Sequence, residues 1–183
     1  MIAYHRQKTV AEHLVRAKVH PAPREGVRTR EPRPGFKKCM RFGGSGCILC
    51  SYSTQSTTHT SRITGETFQI KSEITCTSKN ILYDLWFNKC SNSAMAFPGS
   101  DSYVGRTRNS VAERFSAHKS DIVTGKVYKL VAEHFNQPGH KPSDLRFQPF
   151  EIIHSNDPTL LASRESYWIA KKKILHGGLN RQK

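Results

Sequence analysis

Glu165 is the residue of this sequence hardest to account for by packing. Leu161, Trp168 and Ile169 recur at helical spacing, and Glu165 stands four residues from both Leu161 and Ile169. A carboxylate facing a core is costly unless it is paired or bound to a metal. Arg114 and His118 are also four apart, so they project from neighbouring turns of one helix face, on either side of Phe115. A guanidinium held there keeps its charge and requires an anion, which a phosphate or Glu165 would supply. The structural alternative is an ion pair of Glu165 with Arg164 or another arginine, and His118 as a core imidazole. Upstream, Tyr83 and Tyr103 each lie in a short apolar run.

Cys39, Cys47, Cys50, Cys76 and Cys90 are an odd set of five. Such a set in a reducing compartment points to metal rather than to disulfides. Cys47-x2-Cys50 has the spacing of a zinc knuckle, and Cys39 and Cys76 would complete a tetrahedral thiolate site, with Cys90 or His59 as the competing ligand. A structural Zn2+ would explain how a stretch so rich in Ser, Thr and Gly stays folded, because metal affinity becomes folding energy. The alternative is ordinary free thiols.

These residues need elements to hold them. Ile81 to Phe87 reads as a buried strand, Tyr103 to Arg106 as a second short strand and Phe147 to Ile153 as a third. Ser110 followed by Glu113 is a capping box, opening a helix with Val111, Phe115, His118 and Ile122 on one face. A further helix fits Lys126 to Phe135, and Asp157-Pro158 opens a last one reaching about Leu175. Residues 4–19 could form a short amphipathic helix, followed by a Pro- and Arg-rich linker. The expected organisation is a basic helix and linker over 1–35, a cysteine-rich zinc-binding segment over 36–78 and a catalytic domain over 79–183. The fold class is α/β in composition, more narrowly α+β.

The chain of 183 residues carries a formal charge of +15. Residues 1 to 38 hold ten Lys and Arg against three Glu, and Lys171-Lys172-Lys173, Arg181 and Lys183 have no acid beside them. Clustered charge of this kind suits a polyanion, since each Lys or Arg at a phosphate releases condensed counterions. Nucleic acid is therefore the expected partner, and an anionic membrane would instead call for an amphipathic basic helix. No run of about 18 apolar residues is present, so no transmembrane helix is expected. The opening residues lack the apolar stretch of a secretory signal, which points to an intracellular location.

Taken in order, Tyr83, Tyr103-Val104-Gly105, Arg114-x3-His118, Arg164-Glu165-x2-Trp168-Ile169 and Gly178-Leu179-Asn180 resemble the motifs of the GIY-YIG nuclease family. More narrowly, with a cysteine-rich segment in front, they resemble the endonuclease domain of Penelope-like retroelements. The likeness covers roughly residues 36 to 181. It implies a small, mainly antiparallel three-stranded sheet flanked by helices, and an endonuclease that nicks target DNA to prepare priming by a reverse transcriptase domain of the same element, in the nucleus. It implies Tyr83 as general base or water holder, with Tyr103 orienting the water or phosphate. Arg114 would stabilise the pentacovalent phosphate with His118 assisting. Glu165 would ligate one Mg2+ or Mn2+, and Asn180 would support the site; no small-molecule cofactor is implied.

A tyrosine titrates near 10, so neighbouring cations must lower that value if it is to act as a base at neutral pH. A single carboxylate suits magnesium, which keeps several waters and takes further oxygens from its substrate. Here Ile81 replaces the first glycine of the family pattern, and the interval between the tyrosines is long, around 93–101. The family often has two cysteines between the tyrosine motifs; Phe87 occupies the place of the first and Cys90 remains. The rival expectations are a catalytically lapsed, zinc-stabilised nucleic-acid-binding module of the same fold, and a repair-type nuclease acting on branched DNA.

Overall fold

A computed structural model describes residues 34–39, 47–88, 101–126 and 128–180 of the chain. The predicted helix over 4–19, Cys90 and most of the long inter-tyrosine interval lie outside the described residues.

The architecture centres on a three-stranded antiparallel sheet. Its middle strand is β5 (Ile81–Phe87), flanked by β6 (Tyr103–Thr107) and β7 (Leu145–Ile152). β5 earns its central place through the continuous apolar run Ile81-Leu82-Tyr83, which is fully buried. Tyr83 is opposite Gly105, and Leu85 is opposite Tyr103. The pairing of β5 with β7 slips one residue between Leu82 and Tyr83, bringing Pro149 opposite Tyr83. A proline has no N–H for the ladder and is accommodated at such an irregularity on an outer strand.

Helix α1 (Val111–Val123) covers the face that carries Tyr83. Ser110 caps it by the predicted box: its Oγ accepts from the Glu113 N–H, and the Glu113 carboxylate accepts from the Ser110 N–H. A short α2 (Leu130–Phe135) follows and packs on α1. It begins four residues later than the predicted Lys126, because Lys126 closes the preceding turn by donating its N–H to the Asp121 carbonyl. Helix α3 (Pro158–Lys171) lies on the opposite face, where Phe150 meets Trp168. Asp157 caps it by accepting from the Thr159 N–H, as its place before Pro158 foretold. The expected run to Leu175 breaks at Lys173, which turns left-handed (φ 56°), and a one-turn α4 (Ile174–Gly177) follows.

The cysteine-rich segment forms small pieces. β1 (Gly35–Phe36) pairs in parallel with β4 (Glu73–Ile74), and β2 (Thr58–Thr60) pairs antiparallel with β3 (Thr67–Gln69). Phe36, Leu49, Ile70, Ile74 and Cys76 share one buried core with the sheet. The segment also covers the outer edge of β7: Phe147 donates its N–H to the Tyr52 carbonyl, and Ser53 Oγ donates to the Phe147 carbonyl. Among the described residues, no helix is long and apolar enough to cross a membrane.

Candidate functional site

Strand β5 and helix α1 bring three of the expected residues into one chain of hydrogen bonds. Arg114 Nε donates to Tyr83 Oη at 2.7 Å, and Tyr83 Oη is 2.7 Å from His118 Nε2. The i, i+4 spacing on α1 is what lets both side chains reach one phenol. Tyr103 joins them from β6, with its ring centroid 6.4 Å from that of Tyr83 and 6.0 Å from that of His118. Gly105 makes this possible: a Cβ there would stand 2.5 Å from both Tyr83 Oη and the Tyr103 ring. Tyr103, Arg114 and His118 line a cavity of about 250 Å³ together with Asp121 and Lys129.

The hydrogen-bond roles follow from chemistry. An arginine only donates, so the Tyr83 oxygen accepts from it and the phenolic proton points to His118. His118 Nε2 must then be the unprotonated nitrogen. Burial, and next the charge of Arg114, push the His118 imidazole down to about 3, so the ring is neutral. Burial, reinforced by Tyr103, raises the Tyr83 phenol against the pull of Arg114. Both phenols therefore hold their protons at neutral pH, and Tyr83 is not a resting phenolate.

Glu165 approaches from α3, across the outer strand β6. Its carboxylate pairs with Arg106 Nε at 2.9 Å, and it is 20% exposed. Arg164, the partner considered from the sequence, binds Glu151 instead, alongside the Trp168 indole. The Glu165 charge acts on Tyr83, Tyr103 and Arg114, which ties it electrostatically to the phenol cluster. Burial raises its carboxyl above the ordinary value and outweighs the pairing with Arg106. Asn180 is a clamp on β6: its Oδ1 accepts from the Val104 N–H at 2.8 Å and its Nδ2 donates to the Val104 carbonyl at 2.7 Å. It holds the strand that bears Tyr103.

Cys39, Cys47, Cys50 and Cys76 converge, with their four Sγ atoms within 4.8 Å of one another and no disulfide among them. Cys50 Sγ is 3.6 Å from Cys39 Sγ and 3.5 Å from Cys76 Sγ. A tetrahedron with metal–sulfur bonds of about 2.3 Å has edges of about 3.8 Å, so the four sulfurs fit a zinc ion. Burial pushes the Cys76 thiol well up, and a divalent cation is what would displace such a proton. The cluster is tied to the site, since the Cys76 carbonyl accepts from the Ala112 N–H at the start of α1. His59 is elsewhere, stacked on Phe150 at 4.2 Å between centroids, on the far face of the sheet from Tyr83. Glu165 is a single carboxylate, and among the described residues no acidic or histidine cluster of metal-binding geometry accompanies it. A lone carboxylate supplies one oxygen donor toward a hard cation, which would take its remaining oxygens from water and phosphate, and here Arg106 holds that carboxylate.

Sequence reasoning missed Arg106 and Asp121. Asp121 is buried and bonded to Lys126 and Lys129 at the rim of the cavity. Its position three residues after His118 on α1 was the available signal.

No protein-family model matches the chain, and no curated protein matches it in sequence. Among solved structures, it is similar to the catalytic domain of the homing endonuclease I-TevI, with a TM-score of 0.42 and 22% identity over 57% of this chain and 100% of that one.

Proposed function

We propose that this protein is a metal-dependent DNA endonuclease of the GIY-YIG type, which hydrolyses phosphodiester bonds by nicking. The observation that carries this reading is the Arg114–Tyr83–His118 chain, with both contacts at 2.7 Å, beside Tyr103 and under the charge of Glu165. The order of the five motifs and the +15 charge support it further.

Chemistry follows from the direction of the hydrogen bonds. A water oxygen attacks phosphorus in line with the leaving deoxyribose oxygen, the phosphorus–oxygen bond to that sugar breaks, and the sugar oxygen leaves with the bonding pair and takes a proton from solvent water to become a hydroxyl. Tyr83 takes the proton of the attacking water as its own phenolic proton passes to His118 Nε2, so no free phenolate is needed. The neutral imidazole offers the lone pair for that proton, and phosphate charge arriving beside Arg114 would raise a ring that burial and the Arg114 charge hold at about 3 in the free protein. Arg114 holds Tyr83 with Nε and offers its remaining N–H groups to the oxyanion charge that develops on the phosphate. Glu165, released from Arg106, would hold a Mg2+ or Mn2+ ion, which supplies further charge neutralisation when bound. The four cysteines would hold a structural Zn2+.

The finer assignment is an endonuclease of a Penelope-like retroelement, acting for a reverse transcriptase domain in the nucleus. It rests on the cysteine segment preceding the first tyrosine strand and on the Pro- and Arg-rich residues before it. The proposed division is a basic lead over 1–35, a zinc segment over 36–78 and the nuclease over 79–183. A binding module without activity is the second reading, favoured by the full burial of Tyr83 and by the Arg106–Glu165 pair.

Nicking of supercoiled plasmid with magnesium or manganese separates the two. Cutting that disappears in Glu165→Ala and Arg114→Ala, while salt-sensitive DNA binding persists, supports the enzyme. Binding without any cutting by the unaltered chain supports the module.

A further inference from the structure

On the face of the sheet that carries Asp84 rather than the Tyr83 hydroxyl, a second cavity of about 360 Å³ opens beside β5. Its volume falls within the roughly 300–1,000 Å³ of small-ligand sites. The walls combine Asp84 and Trp86 of β5 with His59, Arg62, Ser102 and Lys172. None of these belongs to the chemistry proposed above.

Two features say what the cavity would hold. Among the described residues, the buried side-chain polar atoms without a hydrogen-bond partner are His59 Nδ1 and Ser102 Oγ, and both residues line this cavity. His59 Nδ1 is 3.5 Å from Asp84 Oδ2, an electrostatic contact at the limit of range that lacks the geometry of a full hydrogen bond. Buried polar atoms left unmet are costly, and a polar ligand would meet both. Charge is the second feature. The Lys172 ammonium is buried and bound to the Asp84 carboxylate, so acid and base cancel in the interior. A neutral polar group therefore fits inside better than a free anion or cation.

At the rim the balance differs. Arg62 is 41% exposed, stands 5.9 Å from the Trp86 ring centroid and has Asp101 at 3.6 Å as its acidic neighbour. Its guanidinium can turn to a phosphate at the mouth. Ile63, Leu85 and Ile174 add apolar wall. A neutral heterocycle with hydrogen-bonding edges inside, and a phosphate outside, describe a nucleotide.

We propose that this cavity binds a nucleotide, with the base hydrogen-bonded to His59 and Ser102 beside the Trp86 ring and the phosphate at Arg62. The chemistry is the same whether the base is an unpaired one in a nucleic-acid strand or belongs to a free mononucleotide. The site is a separate cavity and stands independently of the cleavage reading.

The test uses the full chain without divalent metal and follows 2-aminopurine fluorescence. The probes are 2-aminopurine riboside, its 5′-monophosphate and a single-stranded DNA oligonucleotide with one internal 2-aminopurine. Saturable quenching is expected, weakened about ten-fold by Ser102→Ala, the loss of one good hydrogen bond. Arg62→Ala should weaken the phosphate-bearing probes and leave the riboside unchanged. Trp86→Leu should reduce the quenching itself, and circular dichroism checks its fold. Ser102→Ala, which removes an unmet hydroxyl, should melt no lower than the unaltered chain, so it remains decisive if Trp86→Leu unfolds. Quenching of the oligonucleotide alone assigns the site to a strand base, and of the monophosphate alone to a free nucleotide; both support the proposal. No quenching, or quenching indifferent to Ser102→Ala and Arg62→Ala, overturns it. Plasmid nicking is read separately, so loss of one result leaves the other standing.

Discussion

Tyr83 Oη and His118 Nε2 are 2.7 Å apart across 35 residues of chain, and Arg114 Nε reaches the same oxygen from the other side. A donor-only guanidinium on one side fixes the direction of the phenolic proton toward the imidazole on the other. The phenolic proton thus rests on Tyr83 and is donated to the unprotonated Nε2 of His118.

Tyr83→Phe removes the oxygen shared by both neighbours. It is expected to slow single-turnover nicking by about 10²–10⁴-fold, the usual range for a positioned acid–base group. Tyr103→Phe should cost about ten-fold, the loss of one orienting hydrogen bond. Equal losses in the two variants would remove Tyr83 from its special position.

The low value of the His118 imidazole, about 3 against an ordinary 6.5, has a consequence for stability. As pH falls below 6.5 the unfolded chain takes up a proton on this ring that the folded chain refuses until about 3. Stability contributed by the neutral ring is therefore complete above 6.5 and lost progressively between the two values. The slope is about 1.4 kcal/mol per pH unit for one proton. Urea unfolding between pH 6.5 and 4.5 should show that slope diminished by about this amount in His118→Gln. The buried His59 and the half-buried His134, both pushed down chiefly by desolvation, keep their own contributions in both proteins. An unchanged slope would mean that His118 titrates normally.

Cys50 touches both Cys39 and Cys76 and is the hub of the sulfur cluster. Elemental analysis of the unaltered chain is expected to find about one zinc for the four-thiolate site, and Cys50→Ser to lose it. Structural zinc contributes about 10–16 kcal/mol in small peptides, so the variant should unfold at markedly lower temperature. Because Cys76 accepts from the start of α1, nicking should fall with the metal. Zinc retained at full stoichiometry in Cys50→Ser would exclude this ligand set.

Asn180→Ala removes two hydrogen bonds to Val104 at once. The expected cost is about 1–3 kcal/mol, measured by chemical denaturation, with the Val104 N–H and carbonyl left unmet. Nicking per folded molecule should change far less than in Tyr83→Phe, since the amide holds the strand rather than the phosphate. A large loss of rate with unchanged stability would give Asn180 a direct part in the chemistry.

How legible this was differs from residue to residue. The β5 run, the Ser110–Glu113 capping box and the Asp157-Pro158 helix start are local signals, and each appears where the spacing put it. So do Arg114 and His118 on one face of α1, because a helix of known phase fixes which side chains are neighbours. The break at Lys173 was not legible, since a left-handed lysine is set by the packing beyond it. The small strands between Phe36 and Ile74 were equally hidden, being too short for any periodicity to register.

The sequence by itself determined the inventory: two phenols, a guanidinium, an imidazole, one carboxylate in an apolar stripe, and cysteines at knuckle spacing. Tertiary structure decided the partnerships. Glu165 meets Arg106 rather than Arg164, Cys76 rather than His59 joins the sulfurs, and His59 goes to the opposite face beside Asp84. Spacing along a chain fixes neighbours only within one helix or strand, whereas contacts between distant segments depend on sheet register and on how layers pack. The neutrality of His118 belongs to that second category, because burial among Tyr83, Phe147 and Arg114 is created only when the helix closes on the sheet.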